Sequence, residues 1–220
     1  MLFGSLLPRS GRTPTSLMDL TGNNLRRLTD DPAGDTLANW APNSQQLVFV
    51  SNRNNTNDIY IIDLDGRNLH QITNTALYEG HPSWSVDDLL VFTAGDYLGY
   101  TWEIYTMNLD GSNRQQLTDN TVTDWSPEWS PDGQQILFIR AASRADPAAI
   151  HIMDKDGSNQ RPFYNTADYD WGARWSPDGQ FVAFTIRIGD DNRIYQVNAA
   201  GLNPVLLTEQ GSYPSWVTVP

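Results

Sequence analysis

Short apolar runs separated by polar turns rich in Gly, Asp, Asn and Ser follow one another along the whole chain, and no stretch has apolar residues at helical spacing. Residues 89–93 are continuously apolar, as in a strand buried on both faces, whereas residues 103–108 alternate apolar and polar side chains. Residues 80–84 and 114–118 read as two further strands of the same unit. The pattern therefore predicts an all-β protein built from units of four short strands.

Three markers repeat this unit along the chain. The spacing is 44, 45, 46 and 41 residues between the tryptophans, and it stays between 43 and 46 residues for the other two markers. The markers are Trp40, Trp84, Trp129, Trp175 and Trp216; Phe3, Phe49, Phe92, Phe138 and Phe184; and Gly22, Gly66, Gly111, Gly157 and Gly201. A period in the low forties with four strands per unit predicts a β-propeller.

The two ends of the chain carry complementary parts of a fifth unit. Residues 1–5, 16–22 and 25–29 match the second, third and fourth strands, and residues 212–219 match the missing first strand. We therefore expect one domain over residues 1–220, a five-bladed ring closed by the C-terminal strand joining the N-terminal blade, which removes exposed sheet edges. The expected blades are about 35–74, 79–119, 124–164, 170–209, and 1–30 plus 211–219. The alternatives are a fragment of a larger ring and an open arc closed by a second chain.

Composition restricts the partners. The 14 Lys and Arg against 26 Asp and Glu give a net charge of −12, which disfavours nucleic acid and anionic membrane surfaces. With no Cys and three His, a zinc site is not expected. Residues 1–9 lack the basic leader and long apolar run of a signal peptide, and no stretch is apolar enough to span a membrane.

The motif Trp-Ser-Pro-Asp-Gly at residues 129–133 and 175–179 is followed by an apolar strand containing the repeat Phe, then by Ile-Tyr or a similar pair, Asp-Gly-Ser-Asn and Leu-Thr. This order resembles the TolB-type, WD40-like propeller repeat over nearly the whole chain. Residues 85–88 depart from it by lacking the turn Gly, and residues 161–163 replace the Leu-Thr ending.

The resemblance implies a protein-binding propeller in the periplasm or outside the cell. Similar repeats also form the non-catalytic propellers of prolyl-oligopeptidase-like enzymes, but this sequence has no Gly-x-Ser-x-Gly elbow for the hydrolase part.

One face should collect the long loops, because the connections between second and third strands and between successive units emerge on the same side. Five residues before the repeat Trp, this face carries Asp35, Glu79, Asp124 and Asp170, with Gly211 in the fifth place. These acids either cap backbone N–H groups or form a ring at the channel mouth that holds a basic peptide or a cation such as calcium. The Asp-x-Asp-Gly segments lack the spacing of a calcium loop and are predicted to be turns.

Aromatic side chains accompany the acids on this face: Tyr78, Trp125, Tyr169, Trp171 and Tyr213, with a second group at Tyr97, Tyr100 and Trp102. Aromatic rings beside acids suit peptide or sugar recognition, although they also pack loops together. Trp125 and Trp171 are the stronger candidates because they are additional to the repeat.

These observations favour a monomeric, non-enzymatic scaffold that binds a protein or peptide, with no catalytic residues and no cofactor. The alternatives are a five-bladed glycosidase that uses channel carboxylates and a propeller fragment without a function of its own.

Overall fold

A computed structural model describes residues 2–5, 15–19, 23–96, 102–143, 146–164 and 169–216. The described chain forms 19 β-strands and contains no helix that could cross a bilayer. The strands are β1 Leu2–Ser5, β2 Thr15–Met18, β3 Arg26–Arg27, β4 Asp35–Trp40, β5 Gln46–Ser51, β6 Asp58–Asp63, β7 His70–Gln71, β8 Tyr78–Trp84, β9 Leu89–Gly95, β10 Glu103–Asn108, β11 Gln115–Gln116, β12 Thr123–Trp129, β13 Gln135–Ala141, β14 Ala149–Asp154, β15 Arg161–Tyr164, β16 Tyr169–Trp175, β17 Phe181–Ile188, β18 Asp191–Asn198 and β19 Val205–Thr208.

The strands form five separate antiparallel sheets in chain order. Four of them are complete four-stranded blades, which we call blade I (β4–β7), blade II (β8–β11), blade III (β12–β15) and blade IV (β16–β19). The remaining sheet, β1–β3, has three strands and is called the N-terminal sheet. The prediction of four-stranded antiparallel propeller blades is confirmed, but the predicted fifth complete blade is absent from the described residues.

The Ser-Pro-Asp-Gly turns are held by short side-chain contacts. In blade III the Ser130 hydroxyl donates to Asp132 at 2.6 Å and accepts from the Gln135 amide at 2.9 Å. Gly133 has a φ of 68°, a conformation that glycine adopts without a steric penalty. The motif is therefore a turn sequence, and Ser44 and Asp88 take the same left-handed conformation, at 55° and 58°, in the two blades whose turns lack Gly.

Four of the five repeat tryptophans pack between neighbouring sheets. Trp84, Trp129 and Trp175 are at most 8% exposed, and each is buried in a cluster that includes residues of the preceding blade. Trp40 packs in the same way against Leu17 and Leu28 of the N-terminal sheet. Most of the core thus lies between neighbouring sheets, so each blade depends on the next for burial.

The innermost strands β4, β8, β12 and β16 contact one another around the propeller axis. Each contains a β-bulge that begins about four residues before its tryptophan. The residue three before each repeat tryptophan has a positive φ, between 50° and 65° in these strands. These bulge residues are Leu37, His81, Ser126 and Gly172, and Tyr213 takes the same conformation at 54° before Trp216.

The C-terminal segment, residues 211–216, docks on blade IV as an innermost strand docks on the preceding blade. The Gly211 amide donates to Asn192 O at 3.0 Å, the counterpart of the 3.0 Å bond from Asp170 to Ala148. The Tyr213 amide donates to Thr185 Oγ1 at 3.1 Å, as Ser126 does to Thr93 in blade II. However, residues 211–216 form no strand, residues 217–219 lie outside the described chain, and no described residue pairs this segment with β1, so the predicted ring closure is not observed.

Candidate functional site

The four acids predicted at the channel mouth are fully buried. Asp35, Glu79, Asp124 and Asp170 each have 0% exposure. Each begins or lies near the start of an innermost strand on the long-loop side, as the repeat requires. The structure therefore places the four acids at equivalent positions, but other side chains cover them. They cannot contact a ligand directly and could affect binding only through the residues that cover them.

Three of these acids are paired with arginines. Arg53 lies 3.1 Å from Asp35, and Arg114 forms an ion pair with Glu79. Arg140 makes two bonds of 2.6 Å to Asp124, a bidentate geometry that is stronger than a single contact. The predicted capping of backbone N–H groups is therefore not the main contact of these three side chains in the described structure.

The three arginine head groups occupy equivalent places in blades I, II and III, although the residues come from different positions of the repeat. Their guanidinium carbons lie 5.8, 5.1 and 5.1 Å from the ring centres of Phe49, Phe92 and Phe138, the repeat phenylalanines of blades I, II and III. Arg53 comes from the loop after β5, Arg114 from the turn before β11, and Arg140 from β13. Because the arginine has no fixed offset from the repeat, sequence periodicity does not reveal it.

A second buried acid joins this network between blades II and III. Glu103 accepts from the Thr118 hydroxyl and from the Asn120 amide at 3.2 Å, and Asn120 Nδ2 also donates to Asp124 at 2.8 Å. Burial raises the pKa of Glu103 above its usual value, and the Asp124 charge adds to this effect. The hydrogen bond from Arg140 to Asp124 in turn raises the pKa of that guanidinium, which therefore stays charged.

Aromatic side chains cluster beside this network. Tyr78 stacks on Trp102 with ring centres 4.8 Å apart, His81 meets the same indole edge-on at 6.1 Å, and Trp102 and Trp125 share one cluster. Tyr78 and His81 are half-buried, whereas Trp125 is 8% exposed. The sequence pattern did not indicate His81.

The other predicted aromatics are more dispersed. Trp171 is half-buried in β16, and Tyr213 is 73% exposed. The backbone of Tyr169 begins β16, and its side chain lies outside the described part of the structure, as do residues 97 and 100. Tyr213 is therefore the most exposed of the predicted aromatics whose side chains are described, and Tyr78 and Trp171 are both half-buried.

The bulge residues differ in chemistry although their backbone conformation is shared. They are Leu37, His81, Ser126, Gly172 and Tyr213, and all except Gly172 are at least partly exposed. A Cβ placed on Gly172 would lie 3.5 Å from Tyr213 Cδ1, so Tyr213 lies next to this bulge. Four of these residues sit on the strands nearest the axis, and Tyr213 lies in the C-terminal segment that docks as such a strand does, so the position is structurally equivalent while its side chain varies.

An ion pair crosses the same inner surface. Glu128, just before Trp129, lies 2.8 Å from Arg174 and accepts a 2.9 Å bond from the Trp175 amide of the next blade. Burial raises the pKa of Glu128, while Arg174 acts in the opposite direction. This pair links blades III and IV at the axis.

The opposite face carries the acidic turns. Asp63, Asp110, Asp132 and Asp178 accept hydrogen bonds from nearby side chains or amides, which lower the pKa of each carboxyl. A cleft of about 440 Å³ lies between the turns of blade III and is lined by Asp132, Lys155 and neighbouring residues. Over the described residues, no three His, Asp or Glu side chains are placed to hold a metal ion.

Four-stranded antiparallel blades arranged around an axis, with their interfaces filled by repeat tryptophans, define the class of protein as a β-propeller. The chain belongs to the TolB β-propeller domain family, whose model matches residues 5–141 and again residues 91–217.

Solved structures with a similar fold include TolB from Acinetobacter baumannii, with a TM-score of 0.77 and 21% identity over 90% of this chain and 49% of that one. A putative TolB from Agrobacterium tumefaciens has a TM-score of 0.68 and 19% identity over 84% of each chain. An oligogalacturonate lyase in complex with manganese has a TM-score of 0.67 and 16% identity over 91% of this chain and 60% of that one. At these identities the likeness concerns the fold, and this chain spans about half of the A. baumannii TolB chain.

Proposed function

We propose that this protein is a non-enzymatic scaffold that binds a protein or peptide at the channel mouth on its long-loop face. The observation that carries the proposal is the set of bulge residues: one backbone conformation recurs, yet the side chains are an isobutyl group, an imidazole, a hydroxyl, a hydrogen and a phenol. Packing explains the residues that repeat, but it does not explain side chains that change at an exposed position.

The proposed surface combines Tyr213 with the cluster of Tyr78, His81 and Trp102. Aromatic rings with one polar end are enriched where proteins recognise other proteins. The buried acids contribute by holding Arg53, Arg114 and Arg140, whose side chains are 14%, 25% and 22% exposed. The acids are therefore neutralised by guanidinium groups and do not contact the ligand themselves, so a basic peptide is favoured only by the overall charge of −12.

A random-peptide display library tests this proposal. Peptides selected on the unmodified protein should bind at least about tenfold more weakly to a His81→Ala/Tyr213→Ala variant, a change of about 1.4 kcal/mol or more. Leu25→Ala, at an exposed position of the N-terminal sheet region, is the matched control. Selected peptides that bind both variants equally, or a selection that yields no binder, would contradict a binding site at the channel mouth.

The glycosidase alternative receives less support from the same geometry. A sugar-cleaving site needs two carboxyl groups that reach the glycosidic bond, and the four repeat acids have no exposed surface. No release of reducing sugar from a polysaccharide panel is expected. Release that is lost in Asp124→Asn would instead favour the enzyme.

We also propose that the scaffold is a closed five-bladed ring and a monomer, in which residues 211–219 complete the N-terminal sheet. Two features support closure: residues 211–216 dock as an innermost strand does, and Leu207 of blade IV is 50% exposed although its counterparts pack against the next blade. By the register of Asn39 with Val48, Ser215 would pair with Leu2.

The absence of cysteine makes closure easy to test. A Ser215→Cys/Leu2→Cys variant should form an intramolecular disulfide, whereas a Ser158→Cys/Leu2→Cys control should not. Mass spectrometry of non-reduced peptides reads out the link. A disulfide between chains, or none, would contradict a ring closed within one chain.

A further inference from the structure

The outer rim of blade IV differs chemically from the rims of the other sheets. In β3, β7, β11 and β15 the first two residues are Arg-Arg, His-Gln, Gln-Gln and Arg-Pro, whereas in β19 they are Val205 and Leu206. Leu202, in the preceding turn, occupies a place held by Asn, Arg or Ser in the other units. Residues 198–208 contain no charged side chain.

Ring closure does not explain these apolar residues. At the places equivalent to Leu202 and Val205, blades I, II and III have exposed residues even though each of these blades is covered by the next one. The place of Leu207 is buried or half-buried in each of these blades, whereas the place of Leu206 is half-buried in blade I, at Gln71, and exposed in blades II and III. Leu202 and Val205, which are 60% and 50% exposed, would therefore stay exposed in a closed ring, and Leu206, which is 39% exposed, would stay at least half-exposed like its counterparts.

The rim is also an open sheet edge. Strand β19 is the last in its sheet, and among the described strands it pairs only with β18. It has four residues, whereas the edge strands β3, β7 and β11 have two, and the four-residue β15 contains a proline. Short length, charge and proline protect edges from pairing with other chains, and β19 has none of these features.

A single added strand fits this edge better than a second copy of the protein. A stable subunit interface buries about 800 Å² on each partner, more than a few side chains on a four-residue strand supply. A second copy would also bring another charge of −12. An extended segment gains main-chain hydrogen bonds from the open edge and places alternate side chains against Val205 and Leu206.

We propose that the β19 edge is a second binding site, which takes an extended, uncharged or basic segment of a partner protein as a fifth strand of blade IV. The site is separate from the channel mouth, because β19 is the outermost strand and the bulge residues lie on the innermost ones. The preference for a segment without acids follows from Glu209, which immediately follows β19, and from the charge of the chain.

The probe is a fluorescein-labelled peptide of sequence Lys-Val-Thr-Val-Thr-Val-Lys, measured by fluorescence polarisation. The unmodified protein should bind it saturably, and Val205→Lys/Leu206→Lys should weaken binding at least about tenfold. Gln115→Lys/Gln116→Lys, which makes the same change at the same place in blade II, should leave binding unchanged. Near-UV circular dichroism checks that both variants keep their packing.

A second peptide makes the test independent of the variants. The same sequence with an N-methyl group on every backbone amide cannot donate from either of its edges and should not bind. The proposal is overturned if the first peptide does not bind, or if the methylated peptide binds equally well. It is also overturned if sedimentation shows a concentration-dependent dimer that Val205→Lys/Leu206→Lys abolishes, because the edge would then belong to a second copy.

Discussion

The Asp124–Arg140 pair offers a sharp test of how the blades are held, because its two partners differ in burial. The carboxylate is 0% exposed and the guanidinium side chain is 22% exposed. Asp124 has one further described partner, Asn120 Nδ2 at 2.8 Å, while Arg140 also donates to Gln160 at 2.9 Å. Removing the arginine therefore leaves a buried negative charge, whereas removing the charge of Asp124 leaves a guanidinium that can turn towards water.

We expect Arg140→Met to lower the free energy of unfolding by about 3–5 kcal/mol, the usual cost of leaving one partner of a buried pair uncompensated. Asp124→Asn should cost about 1–3 kcal/mol, because the amide keeps the shape and part of the hydrogen bonding. The double variant should cost no more than Arg140→Met alone, since Arg140→Met harms the protein mainly through the charge that Asp124→Asn removes.

Urea denaturation at neutral pH, followed by tryptophan fluorescence, measures all three values. Arg67→Met is the matched control: this arginine is 83% exposed, and its loss should change the unfolding free energy by less than about 0.5 kcal/mol. If Asp124→Asn costs as much as Arg140→Met, or if the double variant costs the sum of both, the buried charge is not what the arginine compensates.

Three further changes test other parts of the fold. Trp129→Ala should cost about 3–5 kcal/mol in urea denaturation, because this side chain is 5% exposed and fills the interface between blades II and III; a cost below about 1 kcal/mol would contradict that role. Gly111→Ala should lower the thermal midpoint, because glycine has a φ of 80° here and an added Cβ would lie 2.7 Å from Ile72 O. An unchanged midpoint would mean that blades I and II can move apart at this turn at little cost. The raised pKa of Glu103 means that its stabilising contribution is complete below about pH 4.5 and is lost as the pH rises through the raised value. The unmodified protein should therefore gain stability relative to Glu103→Gln between pH 7.5 and pH 5, and equal urea midpoint shifts in the two proteins would contradict this.

The sequence predicted the parts of the fold that depend on local chemistry. Strand β10 falls on residues 103–108 as predicted, because its apolar and polar residues alternate at the period of a strand. The turn at Ser130–Gly133 was predictable for the same reason: its hydrogen bonds join residues close in sequence. Edge strands were predicted too long, since β11 has two residues where residues 114–118 were expected.

The candidate site was only partly predictable, because its contacts join distant residues. The repeat pattern identified the acids but not their arginine partners. Arg114 lies 35 positions from Glu79 in the sequence, whereas the arginines that pair with Asp35 and Asp124 lie at different separations. Of the bulge residues only Tyr213 was a candidate, because no sequence pattern distinguishes a residue with positive φ from its neighbours in a strand, apart from the glycine at position 172. The sequence did not predict that the acids are buried, because a charged side chain is normally expected at the surface. The arginines that compensate them do not recur at a fixed position of the repeat.

A repeat protein contains its own comparison, because each position occurs in several blades with nearly the same backbone. Where the residue is constant, as at Trp84 and Trp129, packing between blades accounts for it. Where the backbone is constant and the exposed residue changes, as at His81 and Tyr213, the fold does not require the change. The apolar rim at β19 meets a related criterion: Val205 is apolar at a place that is polar and exposed in every other described sheet, and Leu206 follows it where the other residues are exposed or half-buried. The two proposed surfaces share no residue and lie on opposite edges of their sheets, so a partner on one edge leaves the other free, and one protein could bind both a channel ligand and an extended segment at the same time.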